Sequence, residues 1–259
     1  MTIRVNPDWW KTLFDHVYLL TDARSVCEDW LTRLEVDMIC ELIPIHPDHR
    51  ILDLCGGHGR HSLDLCRRGY RRCTVLDYSS YLINHGKASA DAINVFINFV
   101  NSDARNTGLE SSTFEHVLIM GNSLGYMLDE DADRLILNEA GRILRSGGWL
   151  LIDVANSISV KADFSPIAWH EIGHDIVVCR QREMDRDVIR SREIVISKEK
   201  GLIRDTAYSM RLYDPESVVS MLGEIGFIST KIHTEFAPHQ KKGDYGFMNN
   251  RMIAIAQKP

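Results

Sequence analysis

Between residues 50 and 154, short apolar runs alternate with stretches of helical periodicity, and this alternation constrains the fold more than any other feature of the chain. Residues 50–55 form a strand-like run that ends in Gly56-Gly57-His58-Gly59, after which Leu63, Cys66 and Arg67 resume helical spacing. A second strand is expected at 73–76, ending at Asp77; Ser79 or Ser80 then caps a helix reaching about Ala92. A third strand is expected at 95–100, ending near Asp103, and a fourth at 114–120. The next helix, 131–144, points Leu135, Ile136, Ala140 and Ile143 inward, and Gly147-Gly148 closes it before a fifth strand at 149–154. Strands alternating with helices of this length specify a parallel sheet covered on both faces, a doubly wound α/β fold.

The flanks add to this core. Val26, Trp30, Leu34, Met38 and Leu42 recur in steps of four, which predicts one apolar face of a helix ended by Pro44 and Pro47. After the fifth strand the rhythm breaks: 176–180, 188–197 and 202–211 are β-type runs separated by charged turns, as in an antiparallel ribbon. Asp214-Pro215-Glu216 starts a helix through Leu222 that Gly226 terminates. Runs at 227–233 and 252–256 then supply two last strands, an antiparallel edge pair that brings the sheet to seven.

The chain of 259 residues is 44% apolar and 25% charged, so it can bury a large core and is neither disordered nor fibrous. Its net charge of −6 disfavours a protein whose main work is neutralising nucleic-acid phosphates. No run approaches the roughly 18 apolar residues of a membrane span, and the amino terminus lacks signal-peptide order, so a cytoplasmic protein is expected. Six cysteines, Cys27, Cys40, Cys55, Cys66, Cys73 and Cys179, form no C-x-x-C pair and read as free thiols.

Asp53-Leu54-Cys55-Gly56-Gly57-His58-Gly59 lies where a strand's carboxyl end meets a helix amino terminus, the crevice in which doubly wound sheets bind nucleotide-like ligands. A turn that needs glycine only for positive φ would look the same. Three carboxylates argue for a ligand. Asp77, about twenty residues on, can accept both hydroxyls of a ribose. Asp103 can receive an adenine amino group, and Asp53, a poor neighbour for pyrophosphate, suits a cationic amine. Together they describe adenosine with a positively charged tail. The dinucleotide pattern G-x-G-x-x-G fits less well, since Ser62 stands at its last glycine.

With these residues the chain resembles the class I S-adenosylmethionine-dependent methyltransferases, whose motif is acidic-x-Gly-x-Gly-x-Gly. Asp53, Gly57 and Gly59 match it, and Cys55 replaces the first glycine. The resemblance implies a Rossmann-like seven-stranded sheet with a β-rich insertion after the fifth strand, and S-adenosyl-L-methionine as cofactor. It implies that Asp53 holds the methionine amino group, with backbone around Gly57 and Gly59 against the methionine part. Asp77 would grip the ribose, Tyr78 would lie beside the adenine, and Asp103 with the Ala104 amide would read its edge. Met120, Gly121 and Asn122 would face the transferring methyl. The aromatic amino terminus, Tyr18 included, either docks a terminal helix on the core or, as the resemblance implies, folds over the cofactor, and 1–43 is expected as a helical lid. Residues 44–160 would then be the cofactor-binding core, 161–211 an insertion that caps the acceptor or forms a homodimer contact, and 212–259 the closing helix and strand pair.

The stretch Asn122-Ser123-Leu124-Gly125-Tyr126 resembles that of small-molecule methyltransferases, which points to nitrogen or oxygen of a small polar metabolite as acceptor. Tyr126, His170, His174, Arg211 and Tyr213 are acceptor-side candidates, and no catalytic base is assigned. Asn249, Asn250 and Arg251 read equally as acceptor contacts or as structure. An RNA or protein methyltransferase on the same fold, and a non-catalytic cofactor-binding subunit of a partner enzyme, are the alternatives. His170-Glu171-Ile172-Gly173-His174 matches the zinc pattern H-E-x-x-H. Gly173 and the strand-like continuation argue against the helix that pattern needs, so no metal is expected.

Overall fold

The computed structural model describes residues 2–26, 28–129, 131–238, 246–249 and 251–259. Cys27, Asn250 and the side chain of Val26 lie outside the described residues. In chain order the elements are α1 (Trp10–Leu13), α2 (His16–Val26), α3 (Asp29–Leu42), β1 (Arg50–Leu54), α4 (Arg60–Arg67), β2 (Arg72–Asp77), α5 (Ser80–Ala92), β3 (Asn98–Asn101), β4 (Phe114–Ile119), α6 (Asp131–Ile143), β5 (Leu144–Ala155) and α7 (Ser157–Ala162). There follow β6 (Ile167–Ile172), β7 (Ile176–Asp185), β8 (Val188–Ser197), β9 (Gly201–Arg211), α8 (Pro215–Ile225), β10 (Ile228–Phe236) and β11 (Arg251–Gln257), with a short 3-10 turn at Gly246–Asn249.

The main sheet has seven strands in the order β3-β2-β1-β4-β5-β11-β10. The first five are parallel, and β11 runs antiparallel to both β5 and β10. Period-2 alternation sends neighbouring side chains of one strand to opposite faces. Leu52 packs with Ile136, Leu137, Val218 and Leu222 under α6 and α8. Ile51 packs with Val36, Ile39, Val75 and Ile83 under α3 and α5. Burial of both faces explains why β1, β2 and β4 read as nearly unbroken apolar runs. The β-rich insertion is a separate antiparallel sheet, β6-β7-β8-β9, packed on the end of β5 through Ala155, Val160, Ile189, Met210 and Leu212.

Four local expectations need correction. In α3 the buried residues are Leu31, Thr32, Glu35, Val36 and Ile39, while Trp30 and Leu34 are 48% and 40% exposed. The helix is rotated from its apolar step of four because Glu35 has ionic partners inside. Leu135 is exposed as well, and Leu137 takes the inward place. Gly147-Gly148 does not close α6; it forms an irregularity within β5, where pairing with β4 shifts between Phe114 and His116. A Cβ on Gly148 would meet the carbonyl oxygens of Arg145 and Glu115 at 2.9 Å, so the irregularity needs glycine there. Finally, 167–172 is a strand and 157–162 a helix, neither expected; Asn156 caps the latter by accepting the Ile158 amide at 3.0 Å.

Candidate functional site: a crevice at the carboxyl edge of the sheet

The turn after β1 is built on left-handed backbone. Cys55, Gly57 and Gly59 have φ of 58°, 59° and 74°, so Cys55 adopts the conformation for which the motif ordinarily provides glycine. At Gly59 a Cβ would also come within 2.9 Å of Val75 Cγ2, which makes that glycine a packing requirement between α4 and β2. The turn is tied to the next strand end: Asp77 accepts the Gly57 amide and the Ser79 amide, each at 2.8 Å. Burial raises the Asp77 carboxyl to about 6, in spite of the amides that favour its charge.

Asp53 is fully buried below the turn. One of its oxygens accepts the Ser62 hydroxyl at 3.2 Å, while Oδ1 is buried without a hydrogen-bond partner. Burial pushes this carboxyl up, against the opposing pull of His61 and Ser62. A buried acceptor without a donor is costly, and a cationic donor entering the crevice would relieve it. Asp103 differs. Its carboxylate holds the Arg105 guanidinium at 2.6 Å, which keeps it below the usual range.

Of the residues singled out in the sequence, Tyr18, Asp53, Cys55, Gly57, Asp77, Tyr78, Asp103, Ala104, Met120, Gly121 and Tyr126 line one crevice. Trp10 and Phe14 complete its cover. Trp10 meets Tyr78 edge-on at 4.7 Å and carries the Arg105 guanidinium over its ring at 5.3 Å. The Phe14 carbonyl accepts the Ser79 hydroxyl at 2.5 Å, and its ring lies 5.6 Å from that of Tyr126.

The remaining candidates lie outside this lining. Gly59 sits behind it, and Asn122 is buried, accepting the Ala155 amide at 2.7 Å and donating to Met210 Sδ. Both therefore shape the wall and do not face the crevice. Arg211 and Tyr213 donate to Asp133, which also accepts the Gly125 amide at 2.9 Å. They bond Asp133, a lining residue, and do not line the crevice themselves. Burial and the nearby Asp133 hold the Tyr213 hydroxyl well above its ordinary value, so it remains a proton donor. His170 lies in β6 opposite Val178 and His174 in the exposed turn after it; neither lines the crevice. On extended backbone the two imidazoles do not share the helical face of a zinc site. Among the described residues no cluster of three potential metal ligands occurs.

Sequence reasoning missed an ionic assembly beneath the turn. Arg251 on β11 is fully buried and donates to Asp153 at 2.7 Å and to Glu35. Arg60 and His61, at the start of α4, also bond Glu35. Burial opposes ionisation of Glu35, but Arg60, Arg251 and His61 outweigh it and hold the carboxyl well below its usual range. Asp153 in turn accepts the Gly121 amide at 3.0 Å. Arg60 reaches the crevice wall, opposite in charge to Asp53, Asp77, Asp103 and Asp133. Its position directly after Gly59 was the available signal; Glu35 had none, and Arg251, open in the sequence between acceptor contact and structure, is a buried structural residue, because the contacts of the pair span 25 and 216 residues.

Residues 51–148 match the family model described as a methyltransferase domain. Among curated relatives, a ubiquinone/menaquinone biosynthesis C-methyltransferase of Ruegeria sp. is 28% identical over 137 residues, and the match spans 52% of each chain, about half the length of that relative. Among solved structures, the CcbJ methyltransferase of Streptomyces caelestis superposes with a TM-score of 0.75 at 16% identity, covering 96% of this chain and 98% of that one. An amino pentose methyltransferase of Micromonospora echinaspora, solved with S-adenosylmethionine bound, gives a TM-score of 0.68 at 14% identity, covering 95% and 98%. Residues 51–148 thus match a methyltransferase domain, and the whole chain shares the fold of these solved methyltransferases.

Proposed function

We propose that the chain binds S-adenosylmethionine in this crevice and transfers its methyl group to nitrogen or oxygen of a small polar metabolite. The observation that carries the reading is the placement of Asp53, Asp77 and Asp103 at the ends of β1, β2 and β3 around the glycine turn. Asp53 Oδ1, buried without a donor, fits an ammonium group. Arg60 offers a positive charge for the carboxylate of the same methionine end. Asp77 presents a carboxylate at ribose position, and Tyr78 and Trp10 offer aromatic faces for the base.

When bound, the cofactor supplies a methyl on a sulfonium, ready for in-line displacement. The chain's own work is then alignment and exclusion of water, a contribution of about 7–11 kcal/mol when geometry is well held. Gly121 and Met120, at the end of β4, leave room beside the reacting centre, and Tyr126 faces the acceptor side. Residues 1–43 act in this reading as the lid, anchored by Phe14 on Ser79 and by the pair of Arg204 on β9 with Asp15. The acceptor enters between that lid and the second sheet. The amino pentose methyltransferase supports a polar acceptor of this size.

Calorimetric titration with S-adenosylmethionine, with NAD as control and with Asp77→Ala alongside, tests the cofactor. Saturable binding weakened at least tenfold by the substitution supports the reading. Preference for NAD, or indifference to the substitution, overturns it. Transfer of a radiolabelled methyl group to metabolite, RNA and protein fractions then tests the acceptor class.

A further inference from the structure

The amino edge of the sheet carries a basic depression that the methyl-transfer reading leaves unused. Arg50 begins β1 and Arg72 begins β2, and the two are register partners on adjacent parallel strands. Arg71 stands beside them, in the run Arg67-Arg68-Gly69-Tyr70-Arg71-Arg72. All three line one depression, together with Phe96, Asn98 and Glu110. Like charges on facing strand positions repel, so the arrangement costs stability unless an anion compensates it.

Many other arginines of the chain are matched to carboxylates, although Arg4, Arg67 and Arg186 have no ion pair among the described residues. Arg68 pairs with Asp37 and Asp64, Arg142 with Glu139, and Arg192 with Asp205. Among the described residues no ion pair involves Arg50, Arg71 or Arg72, and Glu110 is the single carboxylate in the lining. Three guanidinium groups against one carboxylate leave a local excess of two positive charges on a chain of net −6. At the rim, Phe96 is 83% exposed, the most exposed large apolar side chain among the described residues.

We infer that this depression binds a nucleotide unit, with its phosphate on Arg50, Arg71 and Arg72 and its base against Phe96. Guanidinium forks match phosphate oxygens bidentately, and an exposed aromatic ring stacks on any base. Asn98 adds an amide within the same lining. The ligand is a single-stranded nucleic acid or a free nucleotide, which share this chemistry. The six residues of β2 separate Arg72 from Asp77, roughly 17 Å of extended chain. A molecule held here is therefore outside the methyl-transfer crevice, and the site acts as a docking point on the opposite edge.

Fluorescence anisotropy of the full chain with a labelled ten-residue oligouridylate, and with labelled uridine monophosphate, tests this at low and physiological salt. Arg71→Gln/Arg72→Gln should weaken binding at least tenfold and flatten its salt dependence. Phe96→Ala should weaken it several-fold with the salt dependence kept. Tighter binding of the strand than of the monophosphate identifies nucleic acid as the source, and equal binding identifies the free nucleotide. Absence of binding to either probe, or binding untouched by both variants, overturns the inference. Each variant is exposed and is checked by its melting curve and by S-adenosylmethionine titration, which should not change. Loss of the proposed cofactor function would appear in that titration and not in the anisotropy.

Discussion

The Asp77 carboxylate accepts the Gly57 amide at 2.8 Å, so the acidic end of β2 and the glycine turn after β1 are one unit. Anything that changes the charge of Asp77 also loosens the turn.

The burial of Asp77 makes cofactor binding depend on pH. Burial raises Asp77 to about 6 from an unfolded value near 3.8. Between those values the folded chain holds a proton that the unfolded chain has released, so this group's contribution to stability falls as pH rises. Ribose hydroxyls prefer the ionised form, so affinity for S-adenosylmethionine should rise as pH is raised from about 5 to 7, by up to about tenfold per unit below the folded pKa. Asp77→Asn should bind weakly with a flat profile. Calorimetry across this range decides, and an equally steep profile in the variant would remove Asp77 from the explanation.

The ionic assembly around Arg251 should be essential to folding. Arg251→Met leaves Glu35 and Asp153 buried with one charge fewer between them. Breaking one partner of such a pair costs about 3–5 kcal/mol. Urea denaturation should show the lowered midpoint, and a loss under about 1 kcal/mol would contradict the burial of these charges.

Cys55 offers the opposite effect. At φ 58° its backbone is in the left-handed region, at a cost of roughly 1 kcal/mol relative to glycine. Cys55→Gly should be neutral to stabilising with cofactor affinity kept, whereas Cys55→Val, β-branched, should destabilise by more than about 1 kcal/mol. Thermal melts of the two variants should move in different directions.

The amino-terminal cover predicts a purely binding effect. Trp10 packs between Tyr78 and Arg105, so Trp10→Ala should raise the dissociation constant for S-adenosylmethionine several-fold, a loss of about 1 kcal/mol. Its melting temperature without ligand should stay close to that of the parent chain. A fall in stability without a change in affinity would make Trp10 a structural residue and not part of a lid.

Much of this site is legible in the sequence. Asp53, Asp77 and Asp103 terminate three apolar runs, and Gly57 and Gly59 mark the turn; strand period and turn chemistry are local, so spacing alone carried them to one edge of a parallel sheet. The β-rich insertion is legible as an antiparallel unit apart from the seven-stranded sheet, but its first strand, 167–172, is not, because strand pairing is a choice among distant partners. Arg60 is adjacent to the motif, yet its role is not legible there, since it depends on Glu35, which the rotation of α3 brings inward.

What the sequence determined by itself was therefore the alternation of β1 to β5, the left-handed turn with its carboxylates, and the class of ligand that such a turn suits. Tertiary structure alone decided which face of α3 is buried, that Glu35, Arg60, Asp153 and Arg251 meet, and that Arg50, Arg71 and Arg72 converge at the far edge. The physical reason is the range of the interactions. Periodicity and φ preference act within a few residues, whereas buried charge pairs and sheet edges join positions up to 216 residues apart, whose compatibility is settled only when the chain packs.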